Sequence, residues 1–288
     1  MVQAKQRKRS RVLLATDSAV DEGSLSFAAK VATALDSRMD FWIIVETVDE
    51  MRSALPILQK EMAYLEGIAP EVEAEVKKGL AAEMMTGIHE GDYELAILCF
   101  RGRRGLKKVF PRAEVLSILH HARVNFLILW GRGRKLRKFL FCTGGSPYGQ
   151  QAVEFGARIA AVLEAQATLL YVAETEPALF LEGQKERPEP EDPEVKRAVD
   201  RALETLRKVG VEAEAKIRYG KIPHQILAEA SSGKYDLIVL GSHGMGGIRG
   251  FILGSVSEEV VKRARIPILV VRAQERKRRW RRLFRMRR

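Results

Sequence analysis

One glycine-rich stretch decides the fold: Gly241-Ser242-His243-Gly244-Met245-Gly246-Gly247-Ile248-Arg249-Gly250-Phe251-Ile252-Leu253-Gly254-Ser255. It follows the apolar run Leu237-Ile238-Val239-Leu240, which is typical of a buried parallel strand. It precedes residues 256–264, whose apolar positions have helical spacing. A strand, a glycine-rich loop and a helix in this order turn backbone N–H groups and a helix N-terminus toward an anion. The stretch therefore predicts a phosphate site at the carboxyl end of a strand.

Glycines that only form turns in a surface loop are the alternative interpretation, and a glycine-rich loop alone does not separate the two. No Gly-Lys-Ser or Gly-Lys-Thr follows, which argues against a P-loop. The position after a late strand argues against the dinucleotide fingerprint, which follows the first strand of a βαβ unit. The spacing itself is more specific, because Gly-x-x-Gly is followed by nine residues and then by Gly-Ser.

The chain contains an internal repeat, which divides it into two halves. Three pairs of segments correspond: Phe27–Leu35 with Phe155–Leu163, Tyr93–Leu98 with Tyr235–Leu240, and Asn125–Trp130 with Pro267–Arg272. We therefore predict five regions: a basic N-terminal arm over 1–10, a first domain over 11–130, a basic linker over 131–138, a second domain over 139–272 and a basic tail over 273–288.

Each half alternates strands with helices, which implies a parallel sheet with helices on both faces. The predicted strands cover 12–15, 41–45, 72–76, 95–99 and 125–130, then 139–142, 168–173, 212–218, 236–240 and 267–271. The predicted helices cover 23–35, 51–67 and 80–90, a loop and a helix share 105–122, and the helices of the second half cover 150–163, 194–208, 222–231 and 254–264. The expected fold class is α/β, with two tandem doubly wound, mostly parallel five-stranded sheets. Ligands of such sheets bind at the carboxyl ends of strands, so the loops after the first and fourth strands of a half should border one crevice.

These segments together resemble the universal stress protein family, and the resemblance covers both halves. It implies an adenine nucleotide alpha hydrolase-like, Rossmann-related fold. It also implies that ATP is held at four places. These are an Asp after the first strand, a backbone contact from a Val near the end of the second strand, the Gly-x-x-Gly loop and the Gly-Ser turn.

The second half carries the phosphate end of this family pattern in full. The residues implied to bind the nucleotide are Thr143, Gly144, Val172, Gly241, Ser242, His243, Gly244, Met245, Gly247, Gly254, Ser255, Val256 and Ser257. Gly144 stands where the family has its Asp, so one polar contact to the nucleoside is missing. A hydrogen bond of that kind contributes about 0.5–1.5 kcal/mol, or more when it is charged. The phosphate end of the site is therefore better defined than the nucleoside end.

The first half shows the opposite pattern. It keeps the Asp, as Asp17, but its phosphate loop begins Cys99-Phe100-Arg101-Gly102-Arg103-Arg104-Gly105 and is followed by Arg112-Ala113. Among the four key positions of the loop, Gly102 alone is retained, and side chains stand where the backbone must approach a phosphate. We expect a degenerate domain that does not bind ATP in the family manner. The arginines of this loop could bind another anion or form a solvated basic face.

The net charge of +12 belongs to the two ends of the chain. Residues 1–12 contribute +5 and residues 272–288 contribute +9, which leaves about −2 for the body. In the tail, Trp280, Leu283, Phe284 and Arg287 have helical spacing among arginines. Weak contact with an anionic membrane surface or a polyanion through 273–288 is one hypothesis, and a disordered or partner-docked tail is the other.

Cys99 and Cys142 lie at the ends of apolar runs and are expected to be buried free thiols in a reducing cytoplasm. No run of ~20 apolar residues and no signal peptide is found in the sequence, so a cytoplasmic location is expected. The sequence alone identifies no nucleophile or carboxylate that would act with His243, which favours a backbone-positioning role or a phosphate contact for this residue. We therefore predict no catalytic residue and no protein metal site, and any Mg²⁺ would arrive with the nucleotide.

The leading hypothesis is an ATP-binding stress or signalling protein with at most slow ATP hydrolysis or phosphoryl transfer. One alternative is a non-enzymatic regulatory adaptor that binds a partner or an anionic membrane through its basic tails. The other is an ATP-consuming enzyme of related fold. Strands 125–130 and 267–271 would be free edges. We expect them to pair in an internal pseudo-dimer, and a homodimer is a further hypothesis.

Overall fold

The computed structural model describes residues 10–69, 71–79, 88, 93–100, 112–121, 124–130, 136–174, 192–243 and 253–272. The strands are β1 (Arg11–Thr16), β2 (Arg38–Val45), β3 (Val72–Lys78), β4 (Tyr93–Phe100), β5 (Asn125–Trp130), β6 (Lys138–Thr143), β7 (Gln166–Ala173), β8 (Ala213–Tyr219), β9 (Leu237–Gly241) and β10 (Ile268–Val271). The helices are α1 (Glu22–Ala34), α2 (Val48–Glu66), α3 (Arg112–His121), α4 (Pro147–Val162), α5 (Pro193–Lys208), α6 (Ile222–Ser232) and α7 (Ser255–Arg263).

The ten described strands form one sheet in the order β3-β2-β1-β4-β5-β10-β9-β6-β7-β8. Within each half all neighbouring strands are parallel. The strand order of a half is that of a doubly wound fold, so the predicted fold class is confirmed.

The two halves join where β5 and β10 pair antiparallel, with Phe126 opposite Val270 and Ile128 opposite Ile268. The two predicted five-stranded sheets are therefore continuous in one ten-stranded sheet. The prediction that these two edge strands pair inside the chain is confirmed. The pairing removes two unsatisfied strand edges at once.

Helices cover both faces of the sheet, as the alternation of side chains along the strands requires. Phe139 and Phe141 of β6 pack in a core with residues of α1, α2, α4 and α5. Leu140 and Cys142 pack on the opposite face with residues of α3, α6 and α7. Both cysteines are buried thiols, as expected from the sequence, and burial raises the pKa of the Cys142 thiol.

Several helices begin earlier than their apolar periodicity predicts, because the caps lie upstream. Thr47 and Glu50 form a capping box, so α2 starts at Val48 rather than at 51. Ser146 accepts the N–H of Gly149 and is followed by Pro147, so α4 starts at Pro147 rather than at 150. The helix predicted over 80–90 lies outside the described residues, apart from Ile88.

Among the residues that the structure describes, no helix combines the length and the apolar character needed to cross a membrane.

Candidate functional site

The candidate site lies at the carboxyl ends of β6 and β9, which are neighbours in the sheet. The chain leaves β6 toward α4 on one face and leaves β9 toward α7 on the other. This is the topological switch point of the second half, where the two departing loops are expected to border a crevice. The loops after the first and fourth strands of this half thus start at neighbouring strand ends, and residues 244–252 of the second loop lie outside the described residues.

Gly241, the last residue of β9, lets the strand end approach the first turn of α4. A Cβ built on Gly241 would lie 3.1 Å from the carbonyl oxygen of Tyr148 and 3.4 Å from that of His243. The neighbouring atoms are backbone, so they cannot move aside as a flexible side chain would. The glycine thus brings the two loops of the crevice into contact.

Hydrogen bonds fix the base of the glycine-rich loop. The N–H of Ser242 donates to the carbonyl of Val271, and the N–H of Gly254 donates to the carbonyl of Ser242, both at 2.8 Å. The hydroxyl of Ser257 donates to the carbonyl of Gly241 at 2.7 Å. The end of β9 and the start of α7 are therefore joined. Ser257 was predicted to contact the nucleotide. Its hydroxyl proton instead makes the hydrogen bond that connects the start of α7 to the end of β9.

The N-terminus of α7 faces this joint without a side-chain cap. Gly254 is extended at the N-cap position, and within the described part of the chain no side-chain capping hydrogen bond is made to the first turn. The first N–H groups of a helix have no intrahelical partners and carry a partial positive charge. Ser255 is exposed, Val256 is half-buried and Ser257 is buried. The start of α7 can therefore accept an anion.

Ser242 and His243 form a hydrogen-bonded pair, with 2.9 Å between Oγ and Nδ1. Ser242 has no exposed surface, so its hydroxyl cannot reach a substrate as a nucleophile would. The imidazole of His243 lies beside Tyr148, with 6.1 Å between the ring centroids. This arrangement orients the imidazole and keeps the Ser242 hydroxyl buried.

The loop after β6 forms the other wall of the crevice. Thr143 is buried, and its Oγ1 accepts the N–H of Gly145 at 3.1 Å. A Cβ built on Gly144 would meet no atom within 4 Å, so this position is open. Val172 lies near the end of β7 with its side chain in the core that contains α6 and α7. Any contact of Val172 with a ligand must therefore come from its backbone.

A cleft of about 580 Å³ extends this end of the crevice toward α5. Its lining includes Gly144, Gly145 and Tyr171 together with the first two turns of α5. Asp192, Glu194, Arg197, Asp200 and Arg201 give this wall both signs of charge. Burial and the charge of Asp192 raise the pKa of Tyr171. The sequence predicted the helix α5 but not its position beside the loop after β6, because the pattern of a polar helix does not indicate which loop it packs against.

Three of the predicted site residues, Gly244, Met245 and Gly247, lie outside the described residues. The other ten are described, and they occupy the ends of β6, β7 and β9 and the first turn of α7. No group of three or more His, Cys, Asp or Glu side chains among the described residues is placed to hold a metal ion.

The equivalent place in the first half is built differently. Asp17 follows β1, and the hydroxyl of Ser18 donates to its Oδ1 at 3.0 Å. Cys99 occupies the position of Gly241 with a fully buried side chain. The Arg101–Arg104 segment lies outside the described residues, and α3 begins at Arg112.

Comparison with known proteins agrees with this architecture. The profile of the universal stress protein family matches residues 135–272. Universal stress protein MJ0531 of Methanocaldococcus jannaschii is 31% identical over 170 residues, which are 58% of this chain and 97% of that protein. Universal stress protein YxiE of Bacillus subtilis is 30% identical over 145 residues, which are 47% of this chain and 98% of that protein.

Solved structures show that the fold of the whole chain is shared. A universal stress protein from Archaeoglobus fulgidus has a TM-score of 0.64 at 20% identity, covering 92% of this chain and 99% of that chain. A putative universal stress protein from Pseudomonas aeruginosa also has a TM-score of 0.64, at 14% identity, covering 92% of this chain and 94% of that chain. On its sequence relatives and its two similar halves, the chain belongs to the universal stress protein family.

Proposed function

We propose that this chain binds ATP at one site in its second half and acts as a nucleotide-binding stress or signalling protein. The observation that carries the proposal is the junction of the end of β9 with the start of α7. That junction is closed by the hydrogen bond from Gly254 to Ser242 and lies beside the loop after β6. It presents backbone groups and an uncapped helix N-terminus at the switch point of the sheet.

The phosphates would lie at the start of α7, near Gly254 and Ser255. Backbone N–H groups and the helix dipole favour anions there without any side-chain charge. Gly244, Met245 and Gly247, outside the described residues, would complete the cradle, and glycines allow close approach of a phosphate. Mg²⁺ bound to the nucleotide would neutralise part of the phosphate charge.

The nucleoside would occupy the other end of the crevice, between Thr143–Gly145 and the backbone of Val172. The adjoining cleft of about 580 Å³ falls within the range of ordinary small-molecule sites. We expect binding with at most slow ATP hydrolysis, because the hydroxyl of Ser242 is buried and the crevice offers no activated nucleophile among the described residues.

Isothermal titration of the full chain with ATP tests the proposal. We expect one site per chain, loss of binding in Gly244→Val, and unchanged binding in Gly102→Val. The second substitution is the matched control, since Gly102 holds the same position in the repeat of the first half. Two sites, no site, or equal effects of the two substitutions would contradict the proposal. Rapid release of phosphate in the same samples would favour an ATP-consuming enzyme of related fold.

A further inference from the structure

Arg272 directly follows β10 and is almost completely buried, with 6% of its surface exposed. Its backbone N–H donates to Oδ1 of Asn125 at 2.8 Å. Its side-chain atoms Nε and Nη2 are both buried, and neither has a hydrogen-bond partner among the residues that the structure describes. These two atoms form one edge of the guanidinium, the edge that binds two oxygens of an anion side by side.

A buried guanidinium with this edge unpaired is unfavourable for the folded protein. Burial lowers the pKa of Arg272 to about 10, which still leaves the group charged at neutral pH. A buried charge is costly unless an opposite charge and hydrogen bonds compensate it. Arg272 therefore has the properties of a group whose partner is a ligand.

The position of Arg272 next to the phosphate end of the crevice identifies the kind of ligand. Val271 accepts the N–H of Ser242, and Ser242 accepts the N–H of Gly254. Arg272 is thus one residue from the hydrogen bond at the base of the glycine-rich loop. Ile268 and Val270 pack on the face of the sheet that carries α7, and alternation places the side chain of Arg272 on that same face.

We propose that the Nε–Nη2 edge of Arg272 binds the terminal phosphate of the nucleotide whose phosphates lie at the uncapped start of α7. This inference rests on the proposed function and adds a charged side chain to a site otherwise built from backbone groups. The guanidinium and the helix N-terminus are both positive, so an anion between them relieves the repulsion of both.

The internal repeat is consistent with a single site of this kind. Trp130 of the first half holds the position of Arg272, because Asn125–Trp130 corresponds to Pro267–Arg272. An indole offers one N–H donor and no charge, so it cannot replace the guanidinium fork. The half with the phosphate loop is therefore also the half with the buried arginine.

The test compares wild type with Arg272→Met in titrations with ATP and AMP and in thermal unfolding without ligand. We expect the variant to bind ATP weaker by on the order of 10- to 100-fold and to bind AMP unchanged. We expect its unliganded Tm to equal or exceed that of wild type, because methionine fills similar space without a buried charge. A purely structural arginine would instead give a lower Tm with equal effects on both nucleotides, and that result would overturn the inference.

Arg272→Lys serves as a second variant and keeps the test decisive if Arg272→Met does not fold. Lysine retains the charge but not the side-by-side donors, so ATP should again bind weaker while AMP binding stays unchanged. Wild-type protein that binds no ATP would refute both the proposed function and this inference. Wild-type protein that binds ATP, with both variants binding it equally well, would refute the inference alone.

Discussion

The N–H of Arg272 and the side chain of Asn125, which are 147 positions apart, are joined by a hydrogen bond of 2.8 Å. The Nδ2 of Asn125 donates in turn to the carbonyl of Glu94 at 2.9 Å. Asn125 is buried and is the only asparagine of the chain. The side-chain amide of Asn125 therefore connects the end of β10 in the second half to β4 and β5 in the first half. We call the antiparallel contact of β5 with β10, which has three residue pairs, the seam between the halves.

Replacing Asn125 by Ala should weaken this seam. The variant removes the acceptor of the buried N–H of Arg272 and one donor to the carbonyl of Glu94. A buried polar group left unsatisfied costs about 1–3 kcal/mol. Urea unfolding followed by circular dichroism measures the loss. Glu94→Gln is the matched control, because it removes the partly exposed ion pair with Arg158 and should cost under ~1 kcal/mol. Equal losses in the two variants would show that the amide has no special part in the seam.

A second buried polar cluster lies between β8 and α6. Glu229 has 1% of its side chain exposed and pairs with Arg218 and Lys216, the latter at 3.3 Å. The hydroxyl of Tyr235 donates to its Oε1 at 3.0 Å. Burial alone would raise the pKa of Glu229, but the hydrogen bonds from Tyr235 and Lys216 and the charge of Arg218 lower it below its usual value. The ionised carboxylate is therefore the form that the fold stabilises.

Glu229→Gln should lower the free energy of unfolding at pH 7 by about 3 kcal/mol, because two cations lose their buried counter-charge. A carboxyl whose folded pKa is depressed stabilises the protein fully above its unfolded pKa, here 4.5, and this contribution is lost as the pH falls through the folded value. Urea unfolding between pH 3 and pH 7 should then show a shallower acid-side decline in the variant. The same slope in both proteins would contradict this account.

The strands were the most predictable part of the fold, because a buried parallel strand needs a continuous apolar run. The prediction for 125–130 matches β5 at both ends. Helix starts were less accurate, since apolar spacing marks the packed face of a helix and not its cap. Thr47 and Ser146 carry that information in their side-chain hydrogen bonds.

Gly241 could be placed from the sequence at the end of a buried strand, and there a Cβ would be crowded by the carbonyl oxygen of Tyr148 at 3.1 Å. The α5 wall of the cleft and the buried guanidinium of Arg272 were not predictable. Both depend on which distant segments meet, and an arginine at the end of a strand looks like part of a basic tail. The charge count of the sequence grouped Arg272 with that tail, although the predicted second domain ends at residue 272.

The basic segment 273–288 lies outside the described residues, and its predicted contact with anionic surfaces is testable by truncation. Full-length protein should bind vesicles containing phosphatidylserine more tightly than a chain ending at Arg272, since each basic residue near such a surface contributes about 1 kcal/mol. Vesicle sedimentation at two salt concentrations checks this, and the difference should shrink at the higher salt. Neutral vesicles are the control. Equal binding of both chains would leave the adaptor hypothesis without support.

Gly144→Asp should strengthen nucleotide binding by restoring the carboxylate that the family has at this position. A Cβ at Gly144 meets no atom within 4 Å, so the new side chain has room. One added hydrogen bond to the nucleoside corresponds to roughly 2- to 10-fold tighter binding. The gain should be equal for ATP and AMP, because both carry the same nucleoside, whereas loss of the Arg272 guanidinium should affect ATP alone.

Two control variants separate the carboxylate from the mere presence of a side chain. Gly144→Ala should leave affinity and Tm unchanged. Gly145→Asp should lower Tm, because Gly145 has φ +76° and its Cβ would lie 2.9 Å from that of Ala198. Titration calorimetry with both nucleotides decides the question. If Gly144→Asp binds no more tightly than Gly144→Ala, the nucleoside does not lie beside the loop after β6, and the orientation proposed for the nucleotide in the crevice must be reversed.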